Sequence, residues 1–219
     1  MKKFIALCSM FLFANIHATE NFFTQVFVGQ DIQQVDDQVK NFVIHSAFVL
    51  LRSYPYLYAI DENASAQYFN FFSTMKDAAT AVLFFDNQPI GYMRGLALSQ
   101  TAAARVFDQK NQDLGKYYYV GEIFLNAEYS KKDCIALMVK AMEEHAKSLG
   151  YEVCFIDAEY HTKRHVSFVL QPSDYQEQDY HFLGYEHSSL VYTNNFPTIQ
   201  PDGEIKNQMH VCEMWIKNL

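Results

Sequence analysis

Residues 117–157 read YYYVGEIFLNAEYSKKDCIALMVKAMEEHAKSLGYEVCFID, and this stretch decides the fold class. Its first ten residues are aromatic and β-branched, the composition of a strand packed on both faces. From 130 to 150 the period changes to that of a helix. Ile135, Met138, Val139, Met142, Ala146 and Leu149 fall on one face, and Lys140, Glu143, Glu144 and Lys147 on the other. Ser130 stands where an N-cap belongs, Asp133 in the first turn complements the helix dipole, and Gly150 stands where a left-handed C-cap belongs. Residues 153–157 then return to strand composition. A strand, a long helix and a strand with short connections predict parallel pairing through a right-handed crossover.

Working outward from this unit, residues 22–28 predict a first strand ended by Gly29. Asp31 could cap a helix whose buried face is Ile32, Val35, Val39, Phe42, Val43 and Ala47, broken over 53–58 around Pro55. A shorter helix over 64–75 has Tyr68, Phe71, Phe72 and Met75 as its apolar stripe. Residues 81–85 and 90–98 read as strands around the turn Asp86-Asn87-Gln88-Pro89. A polar loop with some helix over 100–116, a short helix near 175–182 and strands near 186–193 and 209–216 complete the chain. No linker divides these elements, so residues 19–219 are expected to be one α/β domain with a mixed sheet of about six or seven strands flanked by helices.

Ahead of that domain lies a tripartite N-terminus. Lys2 and Lys3 give a positive start, residues 4–14 are apolar apart from Ser9, and Ile16 and Ala18 occupy the −3 and −1 places of a cleavage site. Residues 1–18 therefore read as a secretory signal peptide, and the chain as exported to a periplasm or secreted; a buried N-terminal element in a cytoplasmic protein is the alternative. The whole chain has 25 acidic and 17 basic residues and a formal charge of −8, which argues against binding nucleic acid. No internal run of about 20 apolar residues suggests a membrane span, so no stable anchor is expected after cleavage. Beyond the signal, Cys134, Cys154 and Cys212 match no zinc spacing, and at most one disulfide or three buried thiols would account for them. His161 and His165, four apart, could share a helix face, but such pairs are mostly solvated, and no metal is assigned. No G-x-S-x-G elbow supports a serine hydrolase.

The segment Glu122-Ile123-Phe124-Leu125-Asn126-Ala127-Glu128-Tyr129 with its helix and Gly150-Tyr151 resembles the GNAT acetyltransferases. In that family a strand and helix read approximately E-[LI]-Y-V-x-P-E-Y-[QR]-x-x-G-x-G, and the helix ends at Gly-Tyr or Gly-Phe. Tyr180-His181-Phe182-Leu183-Gly184-Tyr185 resembles the family's F-Y-x-x-x-G-F segment, and the element order agrees over most of residues 22–219. The resemblance implies an N-acetyltransferase that moves an acetyl group from acetyl-CoA to an amine. Glu122 would be the base that takes the ammonium proton and Tyr180 the acid for the departing thiolate. A backbone N–H near Leu125 would hold the oxyanion, where such sheets splay. Acetyl-CoA would lie along Phe124, Leu125, Lys131, Lys132, Asp133, Cys134, Ile135 and Ala136.

The loop departs from the family pattern. Both glycines that let backbone N–H groups approach the pyrophosphate are replaced, and Asp133 brings a negative charge there, partly offset by Lys131 and Lys132. The aromatic residues around 54–72 would line the acceptor side, and the acidic balance would suit a cationic amine. If the last strand inserts beside the fifth, as in the family, Cys154 and Cys212 would fall on neighbouring strands, where a disulfide is possible. The rival expectation is an exported non-enzymatic binding protein on the same scaffold, since free acetyl-CoA is not expected in a periplasm or outside a cell.

Overall fold

The computed structural model describes residues 21–52, 58–129, 132–159, 177–200 and 202–219. The proposed signal peptide, the His161/His165 pair, Ser130 and Lys131 lie outside the described residues.

Seven strands form one mixed sheet: β1 (Phe22–Val28), β2 (Ala79–Phe85), β3 (Gln88–Ala97), β4 (Tyr117–Leu125), β5 (Val153–Glu159), β6 (Glu186–Ile199) and β7 (Ile205–Asn218). Their order across the sheet is β1-β2-β3-β4-β5-β7-β6. All neighbours are antiparallel except β4 and β5, which pair in parallel from Tyr117–Val153 to Val120–Ile156. The helix that joins them, α4 (Lys132–Ser148), makes this the crossover that the sequence pattern predicts.

Helix α4 covers one face of the sheet. Cys134, Ile135, Met138, Val139, Met142 and Ala146 pack onto Ala79, Ala81, Leu83, Met93, Val120 and Ile123. Gly150 adopts φ +88, the left-handed stop expected of it, whereas Leu149 turns outward and is 44% exposed because the helix has already ended. On the other face lie α1 (Asp37–Arg52), α2 (Glu62–Phe72) and the short α3 (Ala104–Gln109). Val43 and Ala47 of α1 and Phe69 of α2 pack there against Val82, Phe84 and Tyr92.

Two helix starts differ from expectation. Asp31 does not cap α1: Gly29 takes φ +52, its N–H bonds to the Ala78 carbonyl at 2.7 Å, and residues Gly29–Gln33 form a 3-10 turn. Ile32 and Val35 still reach the α1-side core from this turn, and Asp36 accepts the Gln38 N–H at 2.7 Å at the true helix start. Helix α2 begins earlier than expected, because Asp61 caps it by accepting the Ala64 N–H at 2.7 Å. The buried stripe is Ser65, Phe69 and Phe72, whereas Phe71, expected in it, is 61% exposed.

At the β2–β3 hairpin Asp86 and Asn87 take φ +47 and +64, a two-residue turn of the kind whose twist matches the flanking strands. Gln88 and Pro89, expected in the turn, already belong to β3, and Pro89 sits opposite Phe84 at a register shift. β7 does insert between β5 and β6, but Cys154 pairs with Lys217 and Cys212 with Glu159. At roughly 3.4 Å per residue this separates the two thiols by about 17 Å, so no cross-strand disulfide forms between them. Cys134, Cys154 and Cys212 are all buried.

Candidate functional site

Strand β4 changes phase in its middle. Tyr118 and Val120 point toward α4, and so do Ile123 and Leu125, although an uninterrupted strand would send even and odd residues to opposite faces. The extra residue is absorbed at a β-bulge: Arg94 of β3 pairs with Gly121 and Tyr92 with Phe124, so Met93 alone faces both Glu122 and Ile123. Glu122 takes φ +50, in the left-handed region that a non-glycine residue rarely adopts. The bulge turns Glu122 away from α4 and onto the face shared with Tyr119 and Phe124.

Beyond this point β4 and β5 part. Their register ends at Val120–Ile156, yet β4 continues to Leu125 and β5 to Glu159. This is the splay expected near Leu125.

The Glu122 carboxylate is tightly held. Tyr92 donates its hydroxyl to Oε1 at 2.8 Å, and Arg94 Nη1 lies 2.9 Å from Oε1 and 3.1 Å from Oε2. The Arg94 side chain is 1% exposed and that of Glu122 11%. The guanidinium carbon sits 4.9 Å from the Phe72 ring centre, 5.3 Å from Tyr68 and 5.6 Å from Phe69 and Tyr92, an aromatic cage that favours a cation. Its Nε and Nη2 find no acceptor among the described residues. Burial alone would push the guanidinium's pKa down; the charge of Glu122, with smaller help from Tyr92 and Tyr68, outweighs it and the net shift is upward. Burial and the same carboxylate push the Tyr92 phenol well up, so it stays protonated and donates.

Glu122 forms part of the wall of a cavity of about 480 Å³. Leu50 and Leu51 of α1, Tyr68 of α2, Tyr119 of β4, and Phe196 and Cys212 of the β6–β7 pair also line it. Of the aromatic stretch expected on the acceptor side, Tyr58 and Tyr68 reach this wall; residues 54–57 lie outside the described residues.

Tyr180 lies on the opposite face. It is 3% exposed in the α4-side core, its ring stacked on Trp215 at 4.8 Å and 16°. Trp215 pairs with Ile156, which in turn pairs with Val120, so Tyr180 stands beside the point where β4 and β5 part. Glu122 and Tyr180 thus flank the splay from opposite sides of the sheet.

The residues expected along the acyl donor divide. Phe124 stacks on Tyr92 at 6.0 Å and meets Phe42 edge-on, and Leu125 is fully buried. Lys132 opens α4 and Asp133 in its first turn is exposed, while Cys134 and Ile135 face the core and Ala136 is half-buried. Any contact that Cys134 made with a ligand would therefore come from its backbone N–H, which has no intrahelical acceptor, whereas Ile135 is the fourth residue of α4 and the helix uses its N–H. Arg94, Tyr92 and the bulge were missed in the sequence. The signal was present in the apolar positions of β4, which read Tyr118 and Val120, then Ile123 and Leu125.

No family model matches the sequence, and no curated protein matches it. Solved structures do match the fold. A ribosomal-protein alpha-N-acetyltransferase in complex with coenzyme A superposes over 94% of this chain and 98% of its own, with TM-score 0.54 and 9% identity. A Salmonella typhimurium acetyltransferase that modifies an N-terminal serine of a 50S ribosomal protein gives TM-score 0.54 at 9% identity, over 92% of this chain and 96% of its own. A GNAT-family acetyltransferase from Streptococcus pneumoniae gives 0.51 at 10% identity, over 90% and 99%. The chain has the GNAT fold. At such identities the likeness concerns the GNAT architecture alone, and the chemistry of this chain rests on its own side chains.

Proposed function

We propose that the protein is an N-acyltransferase that uses acetyl-CoA as donor and a primary amine as acceptor. One observation carries this reading: a carboxylate, Glu122, is presented by a bulge on the wall of a cavity, at the place where β4 and β5 part. The opened strand edges offer a passage between the two faces of the sheet, and a thioester lying in it would have its carbonyl near the unpaired edge of β4. Backbone N–H groups there would stabilise the oxyanion. The amine nitrogen forms a bond to the carbonyl carbon and the C–S bond breaks. Glu122 takes one proton from the ammonium; Tyr180, on the side where the thiol leaves, gives a proton to the thiolate, and the second proton that the nitrogen sheds as the amide forms passes through solvent to the phenolate. The exposed first turn of α4, with Lys132 at its start, would meet the donor's phosphates.

The test uses the full chain with acetyl-CoA and a panel of amines, reading release of free thiol. Glu122→Gln should lower kcat by about 100-fold or more, measured at a temperature where circular dichroism shows the variant, which leaves Arg94 unpaired, still folded. Absence of acetyl-CoA binding at millimolar donor by calorimetry overturns the reading. The second reading, a binding protein without transferase activity, is favoured by Asp133 in the first turn of α4, and that same calorimetric result would support it. Residues 1–18 enter the proposal as an export signal; mass spectrometry of exported material should give Thr19 as its first residue, and an intact Met1 would refute it.

A further inference from the structure

We infer that the acceptor is a monoamine with an aromatic or branched aliphatic body, and not a polyamine or a lysine within a basic peptide. Among the described residues, Glu122 is the only Asp, Glu, Lys or Arg in the cavity wall. Arg94 and Tyr92 take up Oε1 while Oε2 is met by Arg94 alone, so the carboxylate keeps room on Oε2 for one ammonium, and the ion pair adds no surplus negative charge for a second. The acidic balance of the whole chain therefore does not extend into the site. Ser65, Gln100 and Thr101 also line it, but the Ser65 hydroxyl is donated to the Ile44 carbonyl and the Thr101 hydroxyl to that of Leu98. The rest of the wall is mostly apolar, with Leu50, Ile60, Leu96 and Phe196 among it, and includes the four tyrosines Tyr58, Tyr68, Tyr119 and Tyr192.

Such a wall rewards apolar surface and accepts one ammonium at Glu122. A second ammonium would lose water with no further carboxylate among the described wall residues to meet it, an unfavourable burial for a charge. A volume of about 480 Å³ is that of a small-molecule site and holds a body the size of a substituted phenyl or indole ring. The biological meaning of this acceptor class rests on the acyltransfer reading, but its binding can be measured without transfer.

Calorimetry on the full chain without acetyl-CoA, using 2-phenylethylamine, 2-phenylethanol and spermidine, tests the inference. 2-Phenylethylamine should bind about 100-fold more tightly than spermidine, with 2-phenylethanol between them. Raising the salt from about 50 to 500 mM should change the 2-phenylethylamine affinity by less than about threefold, because apolar burial dominates. Ala64→Phe, which fills the cavity from α2, should abolish binding while the thermal midpoint is kept. Spermidine binding as tightly as 2-phenylethylamine overturns the inference, as does binding that survives Ala64→Phe or no 2-phenylethylamine heat at about 10 mM. Tight 2-phenylethylamine binding without thiol release on adding acetyl-CoA keeps the ligand class and sinks the transferase. Thiol release with spermidine and none with 2-phenylethylamine does the opposite.

Discussion

Arg94 and Glu122 form an ion pair of 2.9 Å across the β3–β4 bulge, with the guanidinium enclosed by four aromatic rings. Removing one partner strands the other charge in a medium that cannot solvate it. Arg94→Met is therefore expected to lower stability by about 3–5 kcal/mol. Adding Glu122→Gln to that variant should restore more than half of the loss, because the orphaned carboxylate is gone. Urea titrations of the two single variants and the double one measure the coupling, and simple additivity would refute it.

Tyr180 has two roles available, and one substitution separates them. Tyr180→Phe keeps the ring that stacks on Trp215 and removes only the hydroxyl. An acid role predicts a fall in kcat of about 100-fold or more with an unchanged thermal midpoint. A role confined to packing predicts full activity.

His145 gives the protein a defined acid sensitivity. Burial holds its imidazole below the ordinary value of 6.5, only partly opposed by the charge of Asp77, and its Nε2 is buried without a partner among the described residues. The unfolded chain therefore binds a proton that the folded one refuses, and stability falls as pH drops below about 6.5 toward the lower folded value. Above that pH the group contributes no slope. His145→Gln should flatten this part of the stability profile, compared by urea titration at about pH 7.5 and 5.5.

Gly95 sits where β3 is crossed by the core. A Cβ there would stand 2.5 Å from a Tyr118 ring carbon and 2.9 Å from the Met142 sulfur. Gly95→Ala should destabilise by about 1–3 kcal/mol through overpacking. Gly95→Ala combined with Met142→Ala should cost less than the sum of the two single changes, because the added methyl enters the space that Met142 vacates; urea titrations of the three variants measure this coupling.

The central strand–helix–strand unit was legible because α4 obeys one period over 17 residues and ends in a glycine whose φ of +88 only that residue adopts readily. The entry to α1 was not, because the Gly29–Ala78 hydrogen bond that bends it joins residues far apart in sequence. Glu122 could be named from its place in a familiar strand. Its partner Arg94 could not, since an arginine in an alternating strand reads as an exposed residue until tertiary structure surrounds it with rings. The cavity's apolar character was hidden for a similar reason. Net charge is a property of the whole surface, and the wall draws on residues spread from α1 to β7.

The bulge at Glu122 is one added residue, and that makes the carboxylate separable from the sheet that carries it. Deleting Glu122 would restore plain alternation, with Gly121 still opposite Arg94, Ile123 opposite Met93 and Phe124 opposite Tyr92. Ile123 and Leu125 would go on packing under α4 and Phe124 on the α1 side. A chain one residue shorter here would keep its strand order and its facing and lose the carboxylate that pairs with Arg94, so the added residue belongs to the site and not to the scaffold.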